Sequence, residues 1–153
     1  MCYVILHNIR SSHNVGAIFR SSDGAGVVKI FLTGYTPAPL DRFGRPVGEI
    51  VKTSLGASAT VPWGQAVDIV PIITQLQAEG VKVVAVEQAE TSVSLFDFIQ
   101  PENVAYIFGN EITGITPDVL ALCDQIVEIP MQGEKESLNV SVTAGIVLFQ
   151  RPV

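Results

Sequence analysis

A chain of 153 residues, 48% hydrophobic and 16% charged, has the material for one packed core and does not read as disordered. Mean hydropathy is +0.41, yet the longest apolar runs ("VVAV", "GIVLF") stop far short of the roughly 20 residues that span a bilayer. A net charge of −6 and a pI near 4.7 argue against a strongly basic nucleic-acid protein, and Cys2, Cys123, His7 and His13 form neither a disulfide framework nor a metal-ligand spacing.

The N-terminus carries no basic segment followed by an apolar one, so no export signal is read and a cytoplasmic, metal-free protein with no membrane partner is expected. Tyr3–Leu6 reads as the first strand. Ser12 or Asn14 can cap a helix carrying Val15, Ile18 and Phe19, which Gly24 or Gly26 ends. The β-branched and aromatic run "VVKIFLTG" is a second strand. From Gly34 to Gly48 the chain holds Pro37, Pro39, Pro46 and three glycines, which predicts a long surface loop bearing Arg42 and Arg45. Loops of that length inside a compact domain are usually functional or mobile.

A second helix is expected from about Asp68 to Glu79, stopped by Gly80, with Pro71 tolerated in its first turn. "VKVVAVE", "VAYIFGN" and "DQIVEIP" are continuous apolar runs, the pattern of strands covered on both faces. Thr116-Pro117-Asp118 is an N-terminal signature for a helix ending near Cys123. The final helix follows Asn139, and its first stretch, Val140 to Gly145, reads as wholly buried. Strands alternating with helices predict an α/β fold, a mostly parallel sheet with helices on both faces, in a single domain over residues 1–153.

The charge is unevenly distributed. Residues 1–52 carry six of the nine Lys/Arg against three acids, and residues 53–153 carry three against twelve, so the first third is net +3 and the rest net −9. Such asymmetry can mark an anion-facing surface.

In open parallel sheets ligands bind beyond the carboxyl ends of the strands. Three strand ends here run into polar or glycine-bearing loops: Glu87-Gln88, then "GNEITGIT", then "PMQGEKESLN". Ser137 and Asn139 can cap the last helix or face a ligand; three aligned polar loops favour the ligand. Phosphate-loop, dinucleotide and nucleophile-elbow patterns are absent, since Gly24-Ala25-Gly26 follows a helix instead of opening one.

Three ordered segments carry a resemblance: "HNVGAIFRSSDGAGV" (His13–Val27), "IFGNEITGI" (Ile107–Ile115) and "CDQIVEIPMQGEKESLNVSVTAGIVLF" (Cys123–Phe149), with "KTSLGA" (Lys52–Ala57) between the first two. Together they resemble the SpoU/TrmH family of RNA 2′-O-ribose methyltransferases, of the SPOUT class, in its minimal single-domain form. The resemblance implies a deep C-terminal trefoil knot whose loops wrap S-adenosylmethionine against backbone at Val86, Gly109, Ile129 and Leu138. It implies a homodimer with each active site completed across the interface, and an RNA substrate, with tRNA favoured over rRNA.

Carried over by motif, Asn14, Arg20, Glu111, Ser137 and Asn139 are the expected catalytic residues. Plainer readings stand beside them: Asn14 as a helix cap, Glu111 as a solvated charge. Arginine, with a pKa above about 12, is a poor base, so Arg20 is expected to fix a phosphate and stabilise a developing alkoxide, approaching one ligand together with Asn14. Arg10, Arg42 and Arg45 dominate the basic third and are the expected RNA contacts. The alternative is a catalytically silent knotted RNA-binding or assembly factor, which the acidic balance favours and the intact motif residues oppose.

Overall fold

The computed structural model describes residues 1–150; the last three residues of the expected domain lie outside the described ones. The described residues form seven strands and six helices in the order β1 (Cys2–His7), α1 (Ser12–Ala25), β2 (Lys29–Thr33), α2 (Gly48–Ser54), α3 (Ala57–Thr60), β3 (Trp63–Ala66), α4 (Val70–Ala78), β4 (Lys82–Val86), β5 (Val93–Ser94), β6 (Val104–Phe108), α5 (Pro117–Leu120), β7 (Gln125–Glu128) and α6 (Val140–Phe149). The strands form one sheet in the order β3-β2-β1-β6-β4-β7-β5, and every pairing is parallel.

The continuous apolar runs have the physical cause read from them. Along β1, Val4 and Leu6 point into a core with Val15, Ile18 and Phe19 of α1 and Val147 of α6. Ile5 points the other way, toward Ile73 and Leu76 of α4 and Val119 of α5. Helices therefore cover both faces, as expected. No described helix is long and apolar enough to cross a membrane.

The order of strands matters for the site. After β5 at the edge, the chain returns to lay β6 between β1 and β4, and then β7 between β4 and β5. Late strands inserted between earlier ones are consistent with the knotted threading that the resemblance implies. The result is that β6, β4 and β7 lie side by side, with their carboxyl ends adjacent.

Some elements differ from the sequence reading. Ser11, not Ser12 or Asn14, caps α1: its hydroxyl accepts the Asn14 N–H at 3.2 Å. The loop after β2 runs over residues 34–47, as expected, but the two short helices that follow it, α2 and α3, are not part of the sequence reading. Pro71 does sit in the first turn of α4. The helix at Thr116 closes at Leu120, earlier than Cys123. α6 is not wholly buried: Ala144, Val147 and Leu148 face the core, while Val142, Ile146 and Phe149 recur along its outer side in contact with solvent. A helix of ten residues is marginal alone, so that buried side and the Asn139 cap hold it in place.

Candidate active site

The loops after β4, β6 and β7 meet the start of α6 around a cleft of about 510 Å³. Val86, Gly109, Ile129 and Leu138 all line it, and so do Asn14, Glu111, Ser137 and Asn139. Eight of the expected site residues, from four separate parts of the chain, thus share one cavity.

Three side chains that the sequence reading gave no role, Asn110, Tyr35 and Glu87, shape the loop of the second motif. The Asn110 side-chain Oδ1 accepts the N–H groups of Ile112 and Thr113, each at 2.9 Å, folding residues 110–113 into a tight turn. Its Nδ2 donates to the Asn8 carbonyl and to the Tyr35 hydroxyl, again at 2.9 Å. From the β4 end, Glu87 accepts the Ile115 N–H at 2.9 Å. Gly109 is required by close approach: a Cβ there would lie 2.9 Å from the Gly114 carbonyl carbon and 3.0 Å from its oxygen. The signal for Asn110 was its place beside Glu111 in "GNE"; Tyr35 carried none.

A polar chain crosses the cleft's edge. Glu111 accepts the backbone N–H groups of Arg10 (3.1 Å) and Ser11 (3.2 Å) and the Asn14 Nδ2 (3.4 Å). The buried Asn14 in turn accepts a hydrogen bond from the Asn139 Nδ2 at 3.2 Å. Asn139 uses its side-chain Oδ1 to accept the Ser141 N–H at 2.8 Å, capping α6. Capping and site placement are therefore one arrangement at Asn139. With Ser11 serving as the cap of α1, the Asn14 side chain is released for Glu111 and Asn139. Burial raises the Glu111 pKa, but the hydrogen bonds it accepts from its own N–H, Arg10, Ser11 and Asn14 outweigh burial and hold it below the usual carboxylate value.

Arg20 lies elsewhere. It is exposed and lines a second groove of about 630 Å³ with His13, Lys52, Leu55, Val142 and Phe149. Six residues along a helix amount to about 600°, which leaves Arg20 roughly 120° around α1 from Asn14. Within one chain the two line separate cavities, where the sequence reading expects them to approach one ligand. The two cavities adjoin the start of α6 from different sides, one lined by Asn139, Val140 and Thr143 and the other by Ser141 and Val142.

The expected RNA contacts separate as well. Arg10 is exposed beside the cleft, its backbone N–H held by Glu111. Arg42 and Arg45 sit on the loop after β2, where Arg45 pairs with Asp41 at 3.0 Å.

The SpoU rRNA Methylase family model matches residues 1–149. A 23S rRNA (guanosine-2'-O-)-methyltransferase RlmB of Xanthomonas axonopodis pv. citri is 33% identical over 147 residues, covering 96% of this chain and 56% of that protein. An S-adenosylmethionine-bound rRNA methyltransferase of Sinorhizobium meliloti superposes with a TM-score of 0.86 at 31% identity, over 97% of this chain and 54% of that one. The TrmH/SpoU tRNA modifying enzyme of A. aeolicus gives a TM-score of 0.83 at 25% identity, over 97% of this chain and 72% of that one. The chain spans about half the length of the curated relatives it matches.

Proposed function

The chain belongs to the SpoU rRNA methylase family, and from that premise we propose that it transfers a methyl group from S-adenosylmethionine to a ribose 2′-oxygen of RNA, in the cytoplasm. The observation that carries this reading is the single cleft that gathers Val86, Gly109, Ile129 and Leu138 with Asn14, Glu111, Ser137 and Asn139. Ribosomal RNA is preferred over the tRNA expected from the sequence, because the curated relatives are named for 23S rRNA.

The residues present suit the cofactor. Val86, Ile129 and Leu138 offer apolar surface for a purine, and the absent Cβ of Gly109 keeps the second-motif loop tight. Glu87, Glu111 and Glu128 give the cleft an acidic lining, favourable for a cation. When bound, S-adenosylmethionine supplies an electrophilic methyl carried on a sulfonium.

The protein's own part is positioning. Glu111 already accepts three hydrogen bonds from other residues and its pKa is held low, so it orients the loop before α1 and is a poor general base. Asn14 and Asn139 fix the start of α6 against that loop. Arg20 binds the phosphate beside the target ribose and stabilises the developing alkoxide.

Because Arg20 faces a groove apart from the cleft, the working unit is a homodimer in which Arg20 of one protomer serves the cleft of the other. The exposed apolar residues Leu55, Val142, Ile146 and Phe149 around that groove support this reading. Incubating the protein with labelled S-adenosylmethionine and either ribosomal RNA or bulk tRNA, then mapping alkali-resistant nucleotides, tests it. Labelled 2′-O-methylribose in ribosomal RNA is expected. RNA binding without any transfer would instead identify a silent binding factor.

A further inference from the structure

The loop after β2 ends in a small hydrogen-bonded hairpin whose construction the methyl-transfer reading does not use. Leu40 and Pro46 bridge in antiparallel fashion. Asp41 and Arg45 close the tip through the Asp41 N–H to the Arg45 carbonyl at 2.8 Å. The Asp41 carboxylate accepts the N–H groups of Phe43 (2.8 Å) and Arg45 (3.0 Å) and also the Arg45 Nε (3.0 Å). Gly44, at φ +74°, makes the turn that a side chain would strain.

This bonding holds up Phe43, a residue that is 66% exposed. The guanidinium groups of Arg42 and Arg45 lie 4.7 and 4.9 Å from its centroid. Arg45 is held there by Asp41, whereas Arg42 has no carboxylate partner among the described residues. At the base of the same loop, the Tyr35 hydroxyl accepts a hydrogen bond from Asn110 in the cleft's own loop.

We propose that this hairpin is a single-strand RNA grip: an unpaired base stacks on Phe43, Arg45 stays against the ring, and Arg42 swings to the neighbouring phosphate. A rigid aromatic between cations is the chemistry that holds single-stranded nucleic acid without reading its sequence. A base inside a duplex is already stacked and offers no face to the ring, so the grip selects unpaired segments. The hydrogen bond from Asn110 to Tyr35 joins the base of the grip's loop to the loop that borders the cleft. The inference rests on the RNA reading above and adds what kind of RNA is engaged and where.

The test measures binding without a methyl donor, using oligouridylate and oligoadenylate of about 12 nucleotides and a duplex of equal length. Phe43→Leu should weaken both single strands by about tenfold or more, Phe43→Trp should retain wild-type affinity, and the duplex should not respond to either. Unchanged single-strand affinity in Phe43→Leu would overturn the grip and leave Phe43 as a knob for a protein partner. Equal losses for single strand and duplex would also overturn it, reducing the ring to a support for its arginines. If the wild type bound no RNA and transferred no methyl group, the functional reading itself would fall. Transfer by the wild type with normal RNA binding by Phe43→Leu would sink only the grip.

Discussion

Asn139 donates from Nδ2 to the Oδ1 of Asn14 at 3.2 Å, across 125 positions of the chain. Each partner is committed on its far side as well, Asn139 to the cap of α6 and Asn14 to Glu111. The first motif, the second motif and the last helix are thereby joined edge to edge around the cleft.

Asn139→Ala should remove both the cap and this tie, costing about 1–2 kcal/mol of stability. Asn139→Asp keeps an oxygen for the cap but sets an acceptor against the Asn14 Oδ1. It should unfold in urea close to the wild type while losing methyl transfer. An Asn139→Asp protein with full activity would show that only the cap matters.

Glu111 gives a pH signature. Its folded pKa is lowered, so its contribution to stability is complete above the unfolded carboxylate pKa and is lost as pH falls through the folded value. Glu111→Gln should therefore be less stable than the wild type at neutral pH, and the gap should close below about pH 4. Denaturation midpoints measured from pH 7 down to the acid limit provide the check. A gap that widened on acidification would contradict the hydrogen-bond assignment.

The sheet was readable because β1, β4 and β6 are buried from both sides, and double burial writes itself as unbroken apolar sequence. β3 and β5 were missed for the converse reason: "WGQA" and "VS" lie at the sheet's two edges, short and partly exposed, with no run to notice. α6 misled because a helix apolar on all sides reads as buried, whereas Val142, Ile146 and Phe149 remain uncovered within one chain. The cleft's membership followed from strand ends and motif. The bonds from Glu111 to Ser11 and Asn14 link residues about a hundred positions apart, and no local pattern encodes such a pairing.

Gly109→Ala tests the cofactor assignment. The new methyl would press on the Gly114 backbone, which cannot rotate away as a side chain could. The strain, about 1–3 kcal/mol, should displace the second-motif loop and weaken S-adenosylhomocysteine binding roughly tenfold in calorimetry. Undiminished binding by a folded Gly109→Ala protein would mean that the cofactor does not lie against this loop.

The two loop arginines should differ in salt dependence. An arginine that neutralises one phosphate adds about 1 to the slope of log affinity against log salt, and its removal takes that increment away. Arg45 is already paired with Asp41, while Arg42 has no carboxylate partner among the described residues. Arg42→Ala should therefore flatten the slope for an rRNA fragment more than Arg45→Ala does. The opposite order would assign the phosphate to Arg45.

Arg20 decides whether the active site is shared. Arg20→Ala should leave cofactor affinity intact, since Arg20 does not line the cofactor cleft, and should remove most methyl transfer. Arg20→Lys should rescue poorly, because an ammonium lacks the planar fork that grips phosphate. Light scattering should give twice the 16.4 kDa chain mass, and Val142→Asp with Ile146→Asp should shift it toward the monomer. The sharper test mixes Arg20→Ala and Gly109→Ala subunits at a cofactor concentration low enough that each is inactive alone. If Arg20 acts in trans, a mixed dimer pairs an intact cleft with an intact arginine from its partner, and an equimolar mixture regains about one quarter of wild-type activity. If Arg20 served its own chain's cleft, every site in every mixed dimer would carry a defect and the mixture would stay inactive.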